Sequence, residues 1–333
     1  MKAGPAMLMM GEHPSFTPER CINRKQRRVV CTRCSDLCPV GVFSLKSGEK
    51  LSWDRCVDCG LCAANCPTRC FSLSQAAQES IEEESAPGKT LVFACRTDEN
   101  SADVQVRCLA GLPWELLAAY AMNGRIALRT EACKTCGKTA WRSCLEQNLE
   151  ALNAFLGGQY AERVTFLHGG EAPEAENGET GQAEEERFTR RGLFARAGQT
   201  AARTALKAAA ERLPFSQETE EDGMRYRRML AALVKKENAE AAEQRRTVSL
   251  PQFNTRCTGC GICEKICPQA AIRIVSEEDG NRLICLTPWK CTACGLCVKL
   301  CFAGGLSGMH PVAVPRLTEL ALVRVKRREG ENA

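Results

Sequence analysis

The 333-residue sequence predicts an α+β protein in which two loop-rich, cysteine-bearing modules flank a small central α/β domain, with helical linkers. Two observations support this class. Cysteine runs with short, regular spacings occur near the start and again near the end of the chain. Between them, apolar segments of strand length alternate with longer amphipathic segments typical of helices. We place the N-terminal module at 15–75 and the central domain at 89–169. An acidic tether with basic and charged helices follows at 170–247, and the C-terminal module lies at 248–310.

The composition excludes several classes of protein. The chain has 23 cysteines, an odd number, and is too long for a small disulfide scaffold. Its net charge of +5 is modest for this length and does not indicate a nucleic-acid partner. No apolar run reaches the roughly 20 residues of a membrane-spanning helix, and the first residues do not show a secretory signal pattern. A reducing cytoplasm is therefore the expected compartment.

The C-terminal module contains two complete cysteine runs. They are Cys257-x2-Cys260-x2-Cys263-x3-Cys267-Pro268 and Cys291-x2-Cys294-x2-Cys297-x3-Cys301. Three closely spaced cysteines can hold one face of a [4Fe–4S] cluster, and the fourth can reach the neighbouring cluster. Zinc is the alternative, because Cys-x2-Cys pairs also form zinc ribbons. Two pairs would suffice for zinc, however, so the remaining cysteines of each run favour iron–sulfur clusters.

These runs resemble the bacterial-type 2[4Fe–4S] ferredoxin domain, a ferredoxin-like fold of βαββαβ type. The resemblance implies a crossed set of ligands. One cluster would be held by Cys257, Cys260, Cys263 and Cys301, and the other by Cys291, Cys294, Cys297 and Cys267. The sequence departs from the family at Phe302, where proline is usual, and this affects the local turn rather than the ligands.

The N-terminal module has a related pair of runs, one of which is incomplete. Cys56, Cys59, Cys62 and Cys66 form a full run, whereas Cys31, Cys34 and Cys38 lack a first cysteine, because that position is Arg28. Cys21 is the expected replacement; the alternatives are a [3Fe–4S] cluster or a non-protein fourth ligand. By the same resemblance, the two ligand sets are Cys21, Cys31, Cys34 and Cys66, and Cys56, Cys59, Cys62 and Cys38. We expect Cys70 to be a buried core thiol.

The central region has the pattern of a small α/β layer. Strands are predicted at 91–94, 104–107, 125–129 and 164–168, with helices at 113–122 and 139–156. Cysteines follow three of these strands: Cys95, Cys108, and the pair Cys133 and Cys136. The layout resembles the small iron–sulfur subunits that pass electrons on from hydrogenase-type enzymes.

These four cysteines form a second candidate metal site. Ligand sites in open α/β sheets gather at the carboxyl ends of the strands. If the strands are parallel, the four thiols can converge, although the connection from Cys95 to Val104 is short for a parallel crossover. Three interpretations stay open: an additional iron–sulfur centre, a zinc site, or unligated or redox-active thiols.

The remaining segments are predicted to connect or to dock. Residues 76–88 contain a glutamate run followed by Pro-Gly and are predicted to be a linker. Residues 169–186, rich in Glu and Gly, predict a flexible acidic tether. Residues 187–214 predict a basic helix that either docks on a partner or an anionic membrane surface, or packs on its own domain. A further charged helix is expected at 219–244.

The sequence points to electron transfer. A cubane held by four cysteines exchanges one electron and has no open position for a substrate. The sequence shows no dinucleotide fingerprint and no P-loop, and its three histidines are scattered. We therefore predict four [4Fe–4S] clusters in a non-catalytic electron-transfer subunit that serves a partner oxidoreductase complex. The alternatives are a redox enzyme with a catalytic central cysteine site, and a redox-sensing or assembly factor.

Overall fold

The computed structural model describes residues 13–25, 30–44, 50–86, 88–173, 223–236, 247–277, 280–313 and 321–325. Most of the predicted acidic tether and the whole predicted basic helix at 187–214 lie outside these residues. Among the helices that are described, none is long and apolar enough to cross a membrane.

The N-terminal module consists of short elements around its cysteine loops. Helices α1 (Arg33–Leu37) and α2 (Leu61–Asn65) are separated by the antiparallel strands β1 (Phe43–Ser44) and β2 (Lys50–Leu51). One antiparallel bridge, between Phe16 and Phe71, joins the two ends of the module. The rings of these two residues stack, with centroids 4.7 Å apart, and Phe43 packs edge-on against Phe71.

A helix, α3 (Gln75–Glu84), occupies most of the segment predicted to be a linker, so that prediction was wrong. The Ser74 hydroxyl caps its first turn by accepting from the Ala77 amide at 3.2 Å. Ile81 and Gln78 are buried on one face. The glutamates that indicated a linker, such as Glu79 and Glu83, lie on the exposed face, where they do not oppose helix formation.

The central domain is a four-stranded parallel sheet. Its strands are β3 (Thr90–Cys95), β4 (Val104–Val106), β5 (Arg125–Arg129) and β6 (Val164–Leu167), in the order β4-β3-β5-β6. Its helices are α4 (Trp114–Asn123), α5 (Glu131–Thr135), α6 (Thr139–Leu156) and α7 (Tyr160–Arg163). The strands and the two long helices predicted for this region are therefore confirmed.

The short connection between β3 and β4 does not prevent parallel pairing. Val104, the first residue of β4, already lies opposite Phe93, near the carboxyl end of β3. The chain therefore turns back over only the last residues of β3, and no crossover helix is needed. The core of the domain contains fully buried side chains from the sheet and from both long helices: Phe93, Leu116, Leu128, Leu152 and Phe155.

The next described helix, α8 (Arg225–Lys236), lies within the charged helix expected at 219–244 and packs on α4.

The C-terminal module follows. Its elements are β7 (Thr247–Phe253), α9 (Ile262–Ile266), β8 (Ile272–Ser276), β9 (Arg282–Leu286), α10 (Leu296–Lys299) and β10 (Leu306–Ala313), a β–α–β–β–α–β order. β7 pairs with β10, and β9 pairs with both β8 and an added strand, β11 (Ala321–Val325), all antiparallel.

Candidate metal centres

The motif cysteines gather in four groups around four cavities, and one cysteine in each module, Cys34 or Cys297, lines both cavities of its module. Site 1 is lined by Cys21, Cys31, Cys34 and Cys66. Site 2 is lined by Cys38, Cys56, Cys59 and Cys62. Site 3 is lined by Cys257, Cys260, Cys263 and Cys301. Site 4 is lined by Cys267, Cys291, Cys294 and Cys297. In each module the fourth cysteine of one run therefore lies with the first three of the other, which is the crossed grouping that the resemblance implies.

The same turn follows the fourth cysteine of every run. In each case the backbone amide four residues after the cysteine donates a hydrogen bond to the cysteine sulfur. The four bonds are Val42 to Cys38 (3.3 Å), Cys70 to Cys66 (3.4 Å), Ala271 to Cys267 (3.3 Å) and Gly305 to Cys301 (3.2 Å). The residue before each of these donors has a positive φ, between 48° and 63°. Phe302, which replaces proline, is 87% exposed, so the turn forms without the proline ring.

Other backbone amides also point at the cysteine sulfurs. The Asp58 amide donates to the Cys56 sulfur at 3.4 Å, and the Ala293 amide donates to the Cys291 sulfur. Donors fixed in this way stabilise a thiolate and tune the potential of a cluster bound to it. The loops are therefore built to present sulfur with its negative charge partly compensated.

The surroundings of the motif cysteines also disfavour thiolates that have no positively charged partner, as expected of a site that binds iron. Burial raises the pKa of the Cys59 and Cys291 thiols to about 11 and that of Cys62 well above its usual value. Neighbouring cysteines at the same site raise these values further. Thiolates grouped in this way require a positively charged partner, and iron in a cluster supplies it.

Cys21 lies beside the other three cysteines of site 1 although it is ten positions ahead of Cys31 in the sequence. It is followed by a 3-10 turn, Ile22–Lys25, and Asn23 ties this turn to the cysteine loop. The Asn23 side chain donates to the Cys31 carbonyl at 2.7 Å and accepts from the Cys31 amide at 3.0 Å. The structure thus provides a specific support for a displaced first ligand.

Cys70 is a member of this group that the sequence did not identify as part of the site. It is buried, as expected of a core thiol, but its sulfur is 3.2 Å from that of Cys66 and it also hydrogen-bonds Cys21. Donation from Cys70 lowers the pKa of the Cys21 thiol to about 7 and lowers that of Cys66 as well. The spacing rule gave no signal for this residue, because it belongs to neither run.

The site 1 cavity is the largest of the four. Its empty space, including the part open to solvent, is about 590 Å³, whereas that of sites 2, 3 and 4 is about 340, 360 and 360 Å³. Its fifth cysteine is Cys70, which belongs to neither run, whereas the fifth cysteine at sites 2 and 3 is Cys34 or Cys297, a motif cysteine of the neighbouring site. Site 1 therefore differs from the other sites in having a thiol from outside the runs.

The four central cysteines are also brought together. The Cys133 thiol is affected by the charges of all three others, and the Cys108 thiol by those of Cys95 and Cys136. Cys95 is buried, while Cys136 is exposed. We refer to these four residues as the central site.

A single metal ion needs its ligand atoms close together around one point, and neither the four motif sites nor the central site has this arrangement in the described residues. In the described part of the chain, no three His, Cys, Asp or Glu side chains are arranged to hold one ion. This holds for the motif cysteines and for the central site alike. Each ligand of a cluster binds a different iron atom, so cluster ligands are spread around a larger core.

A buried Arg–Glu–Arg triad joins the two modules to the central domain. Arg69 donates to the Glu115 carboxylate at 3.0–3.1 Å, and Arg227 donates to it at 3.0 Å. Arg69 also donates to the Cys66 carbonyl, and Arg227 to the Cys291 carbonyl at 2.7 Å. Burial opposes ionisation of Glu115, but the two guanidinium groups outweigh it and lower the pKa of its carboxyl. The triad thus connects a cysteine of site 1 to a cysteine of site 4.

Further contacts support this junction. Gln269, two residues after Cys267, donates to the carbonyl of Thr68, two residues after Cys66. Both residues are buried. At the start of α8, a Cβ on Gly223 would lie 2.1 Å from the Arg69 carbonyl oxygen, so the two backbones are in direct contact. Sites 1 and 4 therefore face each other across a packed interface.

Comparisons with known proteins agree with the cysteine pattern at both ends. The family model of the 4Fe–4S dicluster domain matches residues 256–304, and that of the 4Fe–4S binding domain matches residues 49–72. The search of curated proteins and the search of solved structures gave no match. The chain is therefore a protein with 4Fe–4S ferredoxin-type domains in its N-terminal and C-terminal parts. Such domains indicate [4Fe–4S] clusters and iron–sulfur electron transfer.

Proposed function

We propose that this protein, alone or as a subunit, relays single electrons through four [4Fe–4S] clusters, held at sites 1 to 4, to or from a partner oxidoreductase. A cluster with four thiolate ligands supplies the exchange of one electron without a bond to substrate. The chain supplies the thiolates, the amide donors that set the potential, and the contact that joins the modules. A cytoplasmic location, expected from the cysteine usage, stays a prediction.

The observation that carries the proposal is the buried junction between site 1 and site 4. Two ferredoxin-type modules on a flexible tether would meet only transiently. Here Glu115, of the central domain, binds Arg69 of one module and Arg227 of α8, which in turn holds the Cys291 carbonyl. A buried pair of this kind depends on close geometry, because each charge loses its hydration. It therefore favours one fixed arrangement of the modules, as a relay needs.

A reductive titration tests the proposal. Anaerobically purified protein should contain at least about 16 iron and 16 sulfide per chain, and should take up at least about four electrons in one-electron steps. The reduced protein should then return these electrons to a one-electron acceptor. Iron near zero with stoichiometric zinc, or a protein whose iron takes up no electrons, would exclude an electron relay.

The exposed residue Cys260 provides a variant for this experiment. Cys260→Ser removes one ligand of site 3 and should lower the electron uptake by about one, with the iron of the other sites retained. Cys285→Ser, at a cysteine of β9 outside the runs, is the control and should titrate as the unchanged protein.

A further inference from the structure

We propose that the central site, Cys95, Cys108, Cys133 and Cys136, holds a fifth iron–sulfur centre and forms one end of the relay. The inference rests on the proposed function, because the neighbouring site 2 is one of its four clusters. It assigns to one place in the structure a group of cysteines whose role the sequence left open.

The parallel sheet brings these cysteines to one edge. Cys95 ends β3, Cys108 follows β4, and Cys133 follows β5, so all lie beyond the carboxyl ends of adjacent parallel strands. Cys136 comes directly after α5 and completes the group. Burial and the charges of the other three thiols raise the pKa of Cys133 to about 11. A set of four thiols at the carboxyl edge of a parallel sheet is where ligand sites occur in such folds.

The backbone turn after Cys108 is the same as the turn after a cysteine of site 1. The Gly111 amide, three residues after Cys108, donates to the Cys108 carbonyl at 2.9 Å. The Arg24 amide donates to the Cys21 carbonyl in the same relative position, at 3.1 Å. Both cysteines precede a 3-10 turn. The backbone after Cys108 is thus arranged as it is around a cluster ligand of site 1.

The central site lies directly against site 2. A Cβ on Gly111 would be 1.9 Å from the Cys59 carbonyl oxygen, so the turn after Cys108 touches the backbone of a site 2 cysteine. Asn65, at the end of α2, donates to the Ala110 carbonyl at 3.2 Å and holds the two loops together. The Cys59 and Cys108 thiols are close enough for their charges to interact.

This position distinguishes an iron–sulfur centre from zinc. Four thiolates can in general bind either, but among the described residues the central cysteines are not arranged to hold a single ion, and zinc has no redox chemistry. With an iron–sulfur centre, one electron passes from the reduced cluster at site 2, which is oxidised, to the central site, which is reduced, or in reverse. No bond or proton needs to move.

Exposure of the cysteines marks the two ends of the relay. The contacts between loops give the order site 3, site 4, site 1, site 2, central site. All 23 cysteines lie in the described residues, and only Cys260 and Cys136 among them are exposed. Cys260 belongs to site 3 and Cys136 to the central site, the first and last members of that order. Electrons can therefore enter at one end and leave at the other, where redox partner proteins can approach.

The test is the metal content and the EPR spectrum of Cys136→Ser. Because Cys136 is exposed, the substitution leaves the core packing unchanged. The unchanged protein should hold about 18 or 20 iron per chain, and the variant about two or four fewer, for a [2Fe–2S] or a [4Fe–4S] centre. The signal of reduced site 2 should also sharpen, since a paramagnetic neighbour is lost. Cys144→Ala, at a buried cysteine of α6, is the control and should keep all its iron.

Other outcomes separate this inference from the proposed function. About 16 iron and one zinc per chain, with the zinc lost in Cys136→Ser, would overturn the fifth centre and leave the four-cluster relay intact. Unchanged iron in both Cys136→Ser and Cys133→Ser would do the same. Iron well below 16 in the unchanged protein would instead contradict the proposed function itself.

Discussion

The two ferredoxin-type modules differ in how the first cysteine of the first run is supplied. In the C-terminal module the run is complete, and Gly305 packs against its first cysteine: a Cβ there would lie 2.6 Å from the Cys257 Cα. In the N-terminal module the first cysteine is displaced to Cys21, and the residue in the place of Gly305 is Cys70. The empty space at site 1, including the part open to solvent, is about 590 Å³, against about 360 Å³ at site 3.

The difference shows how a cysteine run can lose a ligand without losing its site. At site 3 the backbone of Gly305 fills the space beside the first cysteine, Cys257. At site 1 the residue in the equivalent position is Cys70, and its thiol lies beside Cys66. The N-terminal module contacts both the central domain and the turn before α8, whereas site 3 exposes Cys260.

The largest effect is expected where the two modules are joined. Glu115→Gln removes the carboxylate that two buried guanidinium groups share. Leaving buried charges without their partner costs about 3–5 kcal/mol, so the free energy of unfolding should fall by that amount. Anaerobic denaturant unfolding measures it, with Glu150→Gln on the exposed face of α6 as the control. Equal stabilities of these two variants would show that the triad does not hold the modules together.

The spare thiol of site 1 should be visible in a set of ligand variants. Cys257→Ser should lose about four iron, because site 3 has glycine where site 1 has Cys70. Cys21→Ser should keep most of its iron, since Cys70 already touches both Cys21 and Cys66 and can take over as ligand. The double variant Cys21→Ser/Cys70→Ala should then lose about four iron.

Two results would contradict this account of site 1. An iron loss in Cys21→Ser as large as in Cys257→Ser would mean that Cys70 cannot replace the displaced ligand. Full iron in the double variant would remove both cysteines from the site. Cys70→Ala alone should keep its iron, and this variant controls for damage to the core.

A smaller effect is expected at the contact between site 2 and the central domain. Gly111→Ala places a methyl group 1.9 Å from the Cys59 carbonyl oxygen, so the two loops must separate. Overpacking of this kind costs about 1–3 kcal/mol of unfolding free energy. Gly158→Ala is the matched control, because a Cβ there meets nothing within 4 Å. If both variants are equally stable, the loops are not in contact as described.

Much of the site could be predicted because its signal is local. Cysteine spacing, and the resemblance it carries, anticipated the four groups, and hydrophobic patterning identified the parallel strands of the central domain. The helix α3 was missed because its charged composition resembles a linker, whereas the burial of Ile81 depends on tertiary packing. Cys70 and the Arg69–Glu115–Arg227 triad were missed for a related reason. Their partners are distant in sequence, and no spacing rule reports such contacts.

The central claim, that the two modules form one relay through sites 1 and 4, is tested most directly by EPR of the fully reduced protein. Cys294→Ser removes a ligand of site 4, and Cys260→Ser removes one of site 3 as the control. We predict that loss of site 4 sharpens the signal and slows the spin relaxation of site 1, while loss of site 3 leaves both unchanged. A site 1 signal that is identical in all three proteins would contradict the relay.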